Sequence, residues 1–365
     1  MSLGIYLHIP FCKKKCPYCD FYSICNLSLK ESYVSALIKS IEFYSDKNKC
    51  VDSIYFGGGT PSLLSTDDIS SILHSVQNNF HVENPEITLE ANPSSLSKTY
   101  LERLLKTGVN RLSIGVQSLD DNELSCLGRL HSKNQAISVI EDAKSAGFKN
   151  ISADLMIGIS HQTDASLIQS IEKLSELGVT HISSYLLKIE ENTHYYEIKD
   201  KLTLPDDDEM ADRYLLSVET LSRFGYKQYE ISNFSKEGFE SKHNLKYWRL
   251  EEYLGLGPGA HSFYNNERFY FERNLNSFLE MARNENFTPF SNGAPNLKEE
   301  YVMLSLRLHD GISLKKAKEL GIDTSLILSV SQPFIKAGYM ILNGENLYFT
   351  PKGFLVSNEI ISKLI

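Results

Sequence analysis

The stretch Gly108-Val109-Asn110-Arg111-Leu112-Ser113-Ile114-Gly115, GVNRLSIG, decides the fold. It follows a segment whose apolar residues recur at helical spacing. A glycine at its head suits the left-handed backbone position that closes a helix, and the apolar residues behind it suit a buried strand. The stretch therefore reads as a joint from helix to strand. The same joint recurs as GFKNISAD from Gly147, GVTHISSY from Gly178 and GYKQYEIS from Gly225. Upstream, residues 4–9, 51–56 and 86–91 read as further strands, and a helix over residues 29–44 is expected to open with the capping box Ser28-Leu29-Lys30-Glu31. Strand and helix alternate throughout. This order argues for an α/β fold with a parallel sheet and right-handed crossovers, either a barrel related to the TIM type or a doubly wound open sheet.

The chain has 365 residues, of which 42% are hydrophobic and 23% charged, enough to bury a full core in one large domain and a small one. No run approaches the roughly 18 apolar residues of a membrane span. The first residues lack the charged and apolar regions of a signal peptide, so a cytoplasmic location is expected. A formal net charge of -9 disfavours a general nucleic-acid binder, which needs surplus Lys and Arg on one face. Residues 284–297 turn polar, with Pro289, Gly293 and Pro295, and read as a linker. Short helices should follow, then GYMILNGENLYFTPKG, with two strands flanking Asn343-Gly344-Glu345-Asn346 and a last helix after Thr350-Pro351. This looks like a small α+β module of winged-helix type. Residues 296–365 hold eight Lys and Arg against seven Asp and Glu, so a covering or interaction role is expected in place of DNA reading. The division expected is 1–284 for the large domain and 285–365 for the small one.

HIPFCKKKCPYCDF, residues 8–21, packs three of the chain's six cysteines into eight residues. In a reducing compartment such a triplet reads as a metal site before a disulfide framework. Thiolates at C-x3-C-x2-C can wrap a loop around one corner of a 4Fe-4S cube, ligating three irons and leaving the fourth open. The alternatives are a zinc site completed by Asp20, Cys25 or a distant His, or three unrelated cysteines, although structural zinc favours paired C-x2-C knuckles. Gly57-Gly58-Gly59-Thr60-Pro61 follows the second strand, and glycines there let backbone groups approach a ligand. Glu90 ends the third strand, Gln117 the fourth and Asp154 the fifth. Polar groups at the carboxyl ends of parallel strands point into one mouth, where such folds bind ligands. Alone, the glycine triplet reads first as a turn, and each of the three polar residues as a cap or solvated loop group.

Taken together and in order, HIPFCKKKCPYCDF, GGGTPS, EANP, SIGVQSLDD and GLGPGAHS resemble the radical S-adenosylmethionine (SAM) superfamily over essentially the whole chain. The resemblance implies a partial TIM-type (βα)6 barrel followed by the small winged-helix-like domain. It implies a 4Fe-4S cluster on Cys12, Cys16 and Cys19, with the amino and carboxylate groups of SAM on the open iron. One electron from the cluster then splits the sulfonium bond into methionine and a 5′-deoxyadenosyl radical. Carried over residue by residue, Gly58, Gly59 and Thr60 would hold the SAM amino group. Glu90, Gln117 and Asp154 would contact SAM, Arg129 in LGRLH would pair with its carboxylate, and Tyr6 and Tyr18 would line the pocket. The loop Gly158-Ile159-Ser160-His161-Gln162-Thr163 lacks the proline of the family's GLPxQT, so its shape is expected to differ.

Within the superfamily the chain resembles the branch of oxygen-independent coproporphyrinogen oxidases and HemW haem chaperones. Phe21 stands where the oxidases carry a further cysteine, and the first cluster cysteine is already residue 12, where the oxidases carry a long amino-terminal extension. His243-Asn244-Leu245-Lys246-Tyr247-Trp248 matches the HNxxYW signature of the chaperones. That resemblance implies haem as a further ligand, with the His243 imidazole on its iron, ahead of His261 and Cys25; from the residues alone His243 reads as a core histidine. The function implied is a haem chaperone that passes haem to an acceptor protein, with a radical enzyme acting on a porphyrinogen as the alternative. An electron donor for the cluster, a soluble or membrane-associated acceptor, and a second copy of the chain are the partners this reading brings in. Nucleic acid is not.

Overall fold

The computed structural model describes residues 2–365. Six strands, β1 (Ser2–Ile9), β2 (Asp46–Gly58), β3 (Phe80–Ala91), β4 (Arg111–Gln117), β5 (Asn150–Ile157) and β6 (His181–Leu186), run parallel and lie side by side in chain order. Between them the chain returns through α1 (Lys30–Phe43), α2 (Thr66–Asn79), α3 (Lys98–Lys106), α4 (Asp121–Cys126), α5 (Lys133–Ala146) and α6 (Asp164–Glu176). A doubly wound sheet reverses its strand order at a switch point, and this sheet does not, so the barrel reading stands. Past β6 the chain forms α7 (His194–Glu197), α8 (Asp207–Arg223), β7 (Lys227–Gln228), β8 (Asn233–Ser235) and α9 (Lys242–Arg249). It then adds β9 (Tyr253–Leu256), β10 (His261–Tyr264), β11 (Glu267–Tyr270), α10 (Leu275–Arg283) and β12 (Phe290–Gly293). The full order β12-β11-β10-β9-β1-β2-β3-β4-β5-β6-β8-β7 leaves β12 and β7 unpaired with each other, so the barrel is partial.

Period-two alternation explains the layers. Leu3, Ile5, Leu7 and Ile9 of β1, Leu89 of β3, Leu112 and Ile114 of β4, and Ile151 and Leu155 of β5 join the helices in one apolar core. Their neighbours on the other face are polar and meet inside the barrel. There the Tyr55 hydroxyl donates to Glu90 at 2.9 Å, Ser113 donates to Asp154 at 3.1 Å, and Ser152 Oγ lies 2.7 Å from His181 Nδ1. Buried polar groups of this kind are costly unless paired.

Helix α9 closes the amino-terminal end of the lumen. The Glu86 carboxylate accepts the backbone N–H groups of Lys242 and His243 at the helix start, both at 3.2 Å. Negative charge belongs at that end of a helix. On the next turn Lys246 is buried with its ammonium 2.8 Å from Asp52 and 3.2 Å from Glu251.

Three expectations are corrected. The capping box at Ser28 does not form: residues Leu27–Leu29 make a 3-10 turn capped by Asn26, Ser28 Oγ donates to that Asn26 side chain at 2.7 Å, and α1 begins after Leu29 with no side-chain cap. The fourth joint closes α8 at Gly225, φ 75°, but its strand stops at Gln228 and pairs antiparallel with β8. Local bonds take over there, because Gln228 Nε2 donates to the Ile231 carbonyl at 3.1 Å and the Glu230 carboxylate accepts from Ser232 N at 3.2 Å. The linker expected over 284–297 contains β12, which pairs with β11 on the main sheet.

Beyond it lie α11 (Leu297–Ser305), β13 (Ile312–Ser313), α12 (Leu314–Glu319), α13 (Thr324–Lys336), β14 (Met340–Asn343) and β15 (Asn346–Phe349), then two short helices. The three strands form a separate antiparallel sheet in the order β13-β15-β14, a helix-helix-hairpin layout of winged-helix type. Arg268 of β11 meets it with a fork onto Glu300, at 3.1 and 3.2 Å from Nε.

Glu86→Ala should leave the buried His243 N–H and the part-buried Lys242 N–H without that acceptor and cost about 1–3 kcal/mol. Differential scanning calorimetry should show a clearly lowered midpoint, partly restored in Glu86→Gln. An unchanged midpoint would mean that α9 is held by other contacts.

Candidate functional site

The loop after β1 is pinned at its base, where Ile24 N donates to the Pro10 carbonyl at 2.7 Å and Cys12 N to the Ile24 carbonyl at 2.9 Å. Between these points Cys19 N donates to the Cys16 carbonyl at 3.1 Å, a tight turn. Cys12, Cys16 and Cys19 are free, half-buried, and line one cavity of about 590 Å³ at the carboxyl ends of the strands. Burial pushes the Cys19 thiol up to about 11, against the Phe21 backbone bond and with the Cys16 and Cys12 charges adding to it. Cys25, Cys50 and Cys126 are not in this wall.

The other wall is built by strand ends. Gly58 sits at φ 106°, and a Cβ there would meet the His8 ring at 2.5 Å; one on Gly59 would meet the Phe11 carbonyl at 2.7 Å. Only glycine lets this loop lie against β1. Gly58 N donates to Glu90 Oε2 at 3.1 Å, and Thr60 Oγ1 lies 3.4 Å from Cys12 Sγ. Gln117 holds φ 68°, rare for a side chain of its size, and its Oε1 accepts from the Tyr185 hydroxyl at 2.7 Å. The Arg129 guanidinium donates to the Gly115 carbonyl at 2.7 Å and to the Tyr18 hydroxyl at 3.4 Å, reaches Cys16 Sγ at 3.6 Å, and keeps a buried Nε with no partner. Tyr18, Gly58, Gly59, Thr60, Glu90, Gln117, Arg129 and Asp154 all line the cavity with the three cysteines.

The two carboxylates are shielded from bulk water. Burial, reinforced by the Asp154 charge, raises Glu90 to about 7, and burial raises Asp154 to about 6 against its Ser113 bond and the charge of Arg111. Glu90 and Asp154 therefore titrate within the neutral range.

Two expected site residues are placed elsewhere. Tyr6 does not line the cavity: its hydroxyl lies 3.1 Å from His8 Nδ1, and its ring stacks at 6.1 Å on Tyr55, which forms the wall instead. His243 is fully buried in the lumen, with Nδ1 3.0 Å from Ser53 Oγ and Nε2 2.8 Å from the Tyr247 hydroxyl. Burial, with the Lys246 and Arg111 charges, lowers it to about 3. It is a neutral core histidine in this structure, with both ring nitrogens engaged. The loop at residues 158–163 is closed without proline, because Gln162 accepts from Gly158 N at 2.7 Å and donates to the Met156 carbonyl at 3.0 Å.

Sequence reasoning missed Arg111. It is 1% exposed yet lines the cavity, and its Nε has no partner. It stood in the fold-deciding stretch as an ordinary strand residue. The period-two rule was the available signal, since Arg111, Ser113, Gly115 and Gln117 share one side of β4 and all four line the cavity.

Three thiols, the Arg111 and Arg129 guanidinium groups, the Glu90 and Asp154 carboxylates and a glycine-lined backbone edge suit a cluster with three protein ligands beside a zwitterionic, cationic small molecule. Residues 6–192 match the radical SAM superfamily and residues 295–356 the HemN C-terminal domain. The chain is 34% identical over 376 residues to the heme chaperone HemW of Haemophilus influenzae, covering 98% of this chain and 97% of that one. It is 35% identical over 375 residues to the heme chaperone HemW of Bacillus subtilis, covering 99% and 98%. The chain belongs to the HemW family of radical SAM proteins. In fold it is similar to the solved structure of Escherichia coli coproporphyrinogen III oxidase, HemN, with a TM-score of 0.86 at 21% identity over 100% of this chain and 90% of that one. Membership of the radical SAM superfamily makes a 4Fe-4S cluster and SAM the cofactors of this HemW-family chain.

A carboxyl raised in the folded protein holds its proton where the unfolded chain has released it, so its folded-state contribution is lost as pH rises from the unfolded value toward 7. Between pH 5 and 8, wild-type cluster-free protein should therefore lose stability relative to Glu90→Gln, by at most about 3 kcal/mol. Buried histidines titrate in both proteins and cancel in the difference. Denaturant unfolding at several pH values measures it; a difference independent of pH would contradict the raised Glu90.

Proposed function

We propose that this chain binds haem and delivers it to an acceptor protein, with Cys12, Cys16 and Cys19 holding the 4Fe-4S cluster and SAM in the cavity beside them. The observation that carries this is full-length kinship with two HemW chaperones, together with one cavity that gathers the cysteine triplet and the strand-end groups. When bound, the cluster and SAM supply one-electron reductive cleavage of a carbon–sulfur bond. The protein's residues bind and orient. Arg129 presents a fork to the SAM carboxylate, Gly58, Gly59 and Thr60 bring backbone and hydroxyl groups to its amino end, and Glu90 and Asp154 offer negative charge to its cationic centre. Arg111 sits at the floor and favours the ionised form of both carboxylates.

With His243 in the core, the other candidates that the resemblance named for the haem iron, His261 and Cys25, come forward. His261 is exposed, and its ring stacks at 5.3 Å on Tyr270, which in turn stacks at 5.6 Å on the exposed Phe290. Such an aromatic ledge suits a porphyrin face beside an imidazole, so His261 is the proposed ligand. The small domain is taken to begin after β12, near residue 295. No helix among the described residues is long and apolar enough to cross a membrane. A cytoplasmic setting, a reducing partner for the cluster and a soluble or membrane-associated acceptor complete the proposal.

The second reading, a coproporphyrinogen dehydrogenase, meets Phe21, which lies 64% exposed on the cavity wall where the resembling oxidases carry a cysteine. Haem titration of the anaerobically reconstituted protein should give a saturable Soret band. That band should keep its position in folded His243→Ala and shift in His261→Ala. Incubation with coproporphyrinogen, SAM and a reductant should give no vinyl-bearing product at turnover on the order of one per second or even a hundredfold slower. Product at such rates with no saturable haem binding would replace the chaperone reading with the enzyme.

A further inference from the structure

At the opposite ends of the strands a second set of ligating side chains meets. Cys50 of β2 lies directly beside His81 of β3 in the parallel ladder, and Glu83, two residues on, shares that face. The donor atoms of Cys50, His81 and Glu83 all lie within 4.8 Å of one another. Glu83 Oε2 is 3.8 Å from Cys50 Sγ and 3.8 Å from His81 Nε2. Among the described residues no other three His, Cys, Asp or Glu side chains converge so tightly, the cluster cysteines included.

We infer that Cys50, His81 and Glu83 form a mononuclear site for a divalent cation of the Zn²⁺ class. Zn–S, Zn–N and Zn–O bonds of about 2.3, 2.0 and 2.1 Å at tetrahedral angles put the donors about 3.4–3.6 Å apart. The two separations from Glu83, 3.8 Å each, need a contraction of only a few tenths of an ångström, and the Cys50–His81 pair, within 4.8 Å, closes by a turn of the imidazole. His81 and Glu83 can supply it, since their side chains are 61% and 65% exposed and free to turn. A thiolate, an imidazole and a carboxylate suit a borderline ion and not Ca²⁺ or Mg²⁺, which take oxygen ligands. Haem iron does not fit, because the porphyrin fills its equatorial positions and protein donors reach it only axially. The cluster cysteines differ in the same sense: a loop around a cube spaces its thiolates widely, whereas these donors close on one point.

Three protein donors leave the fourth position to water, so the site is exchangeable and not a closed structural knuckle. Its place in the fold gives it an effect. The β2–β3 ladder shifts register twice here, between Asp46 and Cys50 and again between Val51 and Ser53. An ion bridging Cys50 to His81 and Glu83 clips the two strands together across that irregular stretch.

The test is an anaerobic Co²⁺ titration of the cluster-loaded protein, read as a difference spectrum with the iron–sulfur absorbance monitored throughout. Wild type should give thiolate charge-transfer and intense tetrahedral ligand-field bands that saturate at one ion per chain and are displaced by Zn²⁺. Cys50→Ser should lose the charge-transfer band, and His81→Ala and Glu83→Gln should weaken binding by about tenfold or more. Cys25→Ser, which alters another surface cysteine, should match wild type. His81 and Glu83 are exposed, so their variants report even if Cys50→Ser folds poorly. No tetrahedral spectrum in wild type, or one that survives His81→Ala and Glu83→Gln unchanged, overturns the site.

Discussion

The inward side of β1–β6 is almost wholly polar, and that constraint governs the rest of the molecule. Charged and hydroxyl-bearing side chains brought together at low solvent access must find partners or a ligand. At the amino-terminal end they find protein: Glu86 takes the N–H groups that open α9, and Lys246 of the same helix takes Asp52 and Glu251. At the carboxyl end no helix among the described residues closes the lumen, and the cavity opens there. There Arg111 and Arg129 keep buried, unpartnered Nε atoms and Glu90 and Asp154 hold raised carboxyls, groups that a charged small molecule would satisfy.

The same asymmetry accounts for the surroundings of His243. HNLKYW carries a signature, but its spacing sits on a helix whose buried face must plug the lumen. His243 and Tyr247, one turn apart, bond to each other and Ser53 completes the set. The HNLKYW helix thus serves the barrel that positions the site.

How much was legible follows from which interactions are local. Gly147, at φ 109°, and Gly178, at φ 74°, announce helix ends through their own backbone preference, and the strands behind them formed as read. That the cysteine triplet, Gly58, Gly59, Glu90 and Gln117 meet in one cavity was legible because each lies at or just after the carboxyl end of a strand, and parallel strand ends converge; Asp154 within β5 and Arg129 after α4 join them there. Features decided at longer range were not. Ser28 lost its cap to Asn26, and the strand after Gly225 gave way to a turn that pairs Glu230 with Leu308 of the small domain. Tyr6 was displaced from the wall by Tyr55, a neighbour it meets only once β1 and β2 pair. Arg111 was legible in principle, through alternation along β4, but nothing local marked it as more than a strand residue.

On this account the polar strand ends hold SAM against a cluster on Cys12, Cys16 and Cys19. Electron paramagnetic resonance of the reduced, reconstituted protein, recorded with and without SAM, tests it most directly. A new nitrogen and oxygen pair at one iron should change the spectrum of the wild-type cluster. The change should need far more SAM in Arg129→Met and Arg111→Met, while the cluster itself remains. A spectrum unaltered by saturating SAM, or one that responds identically in both arginine variants, would contradict the account.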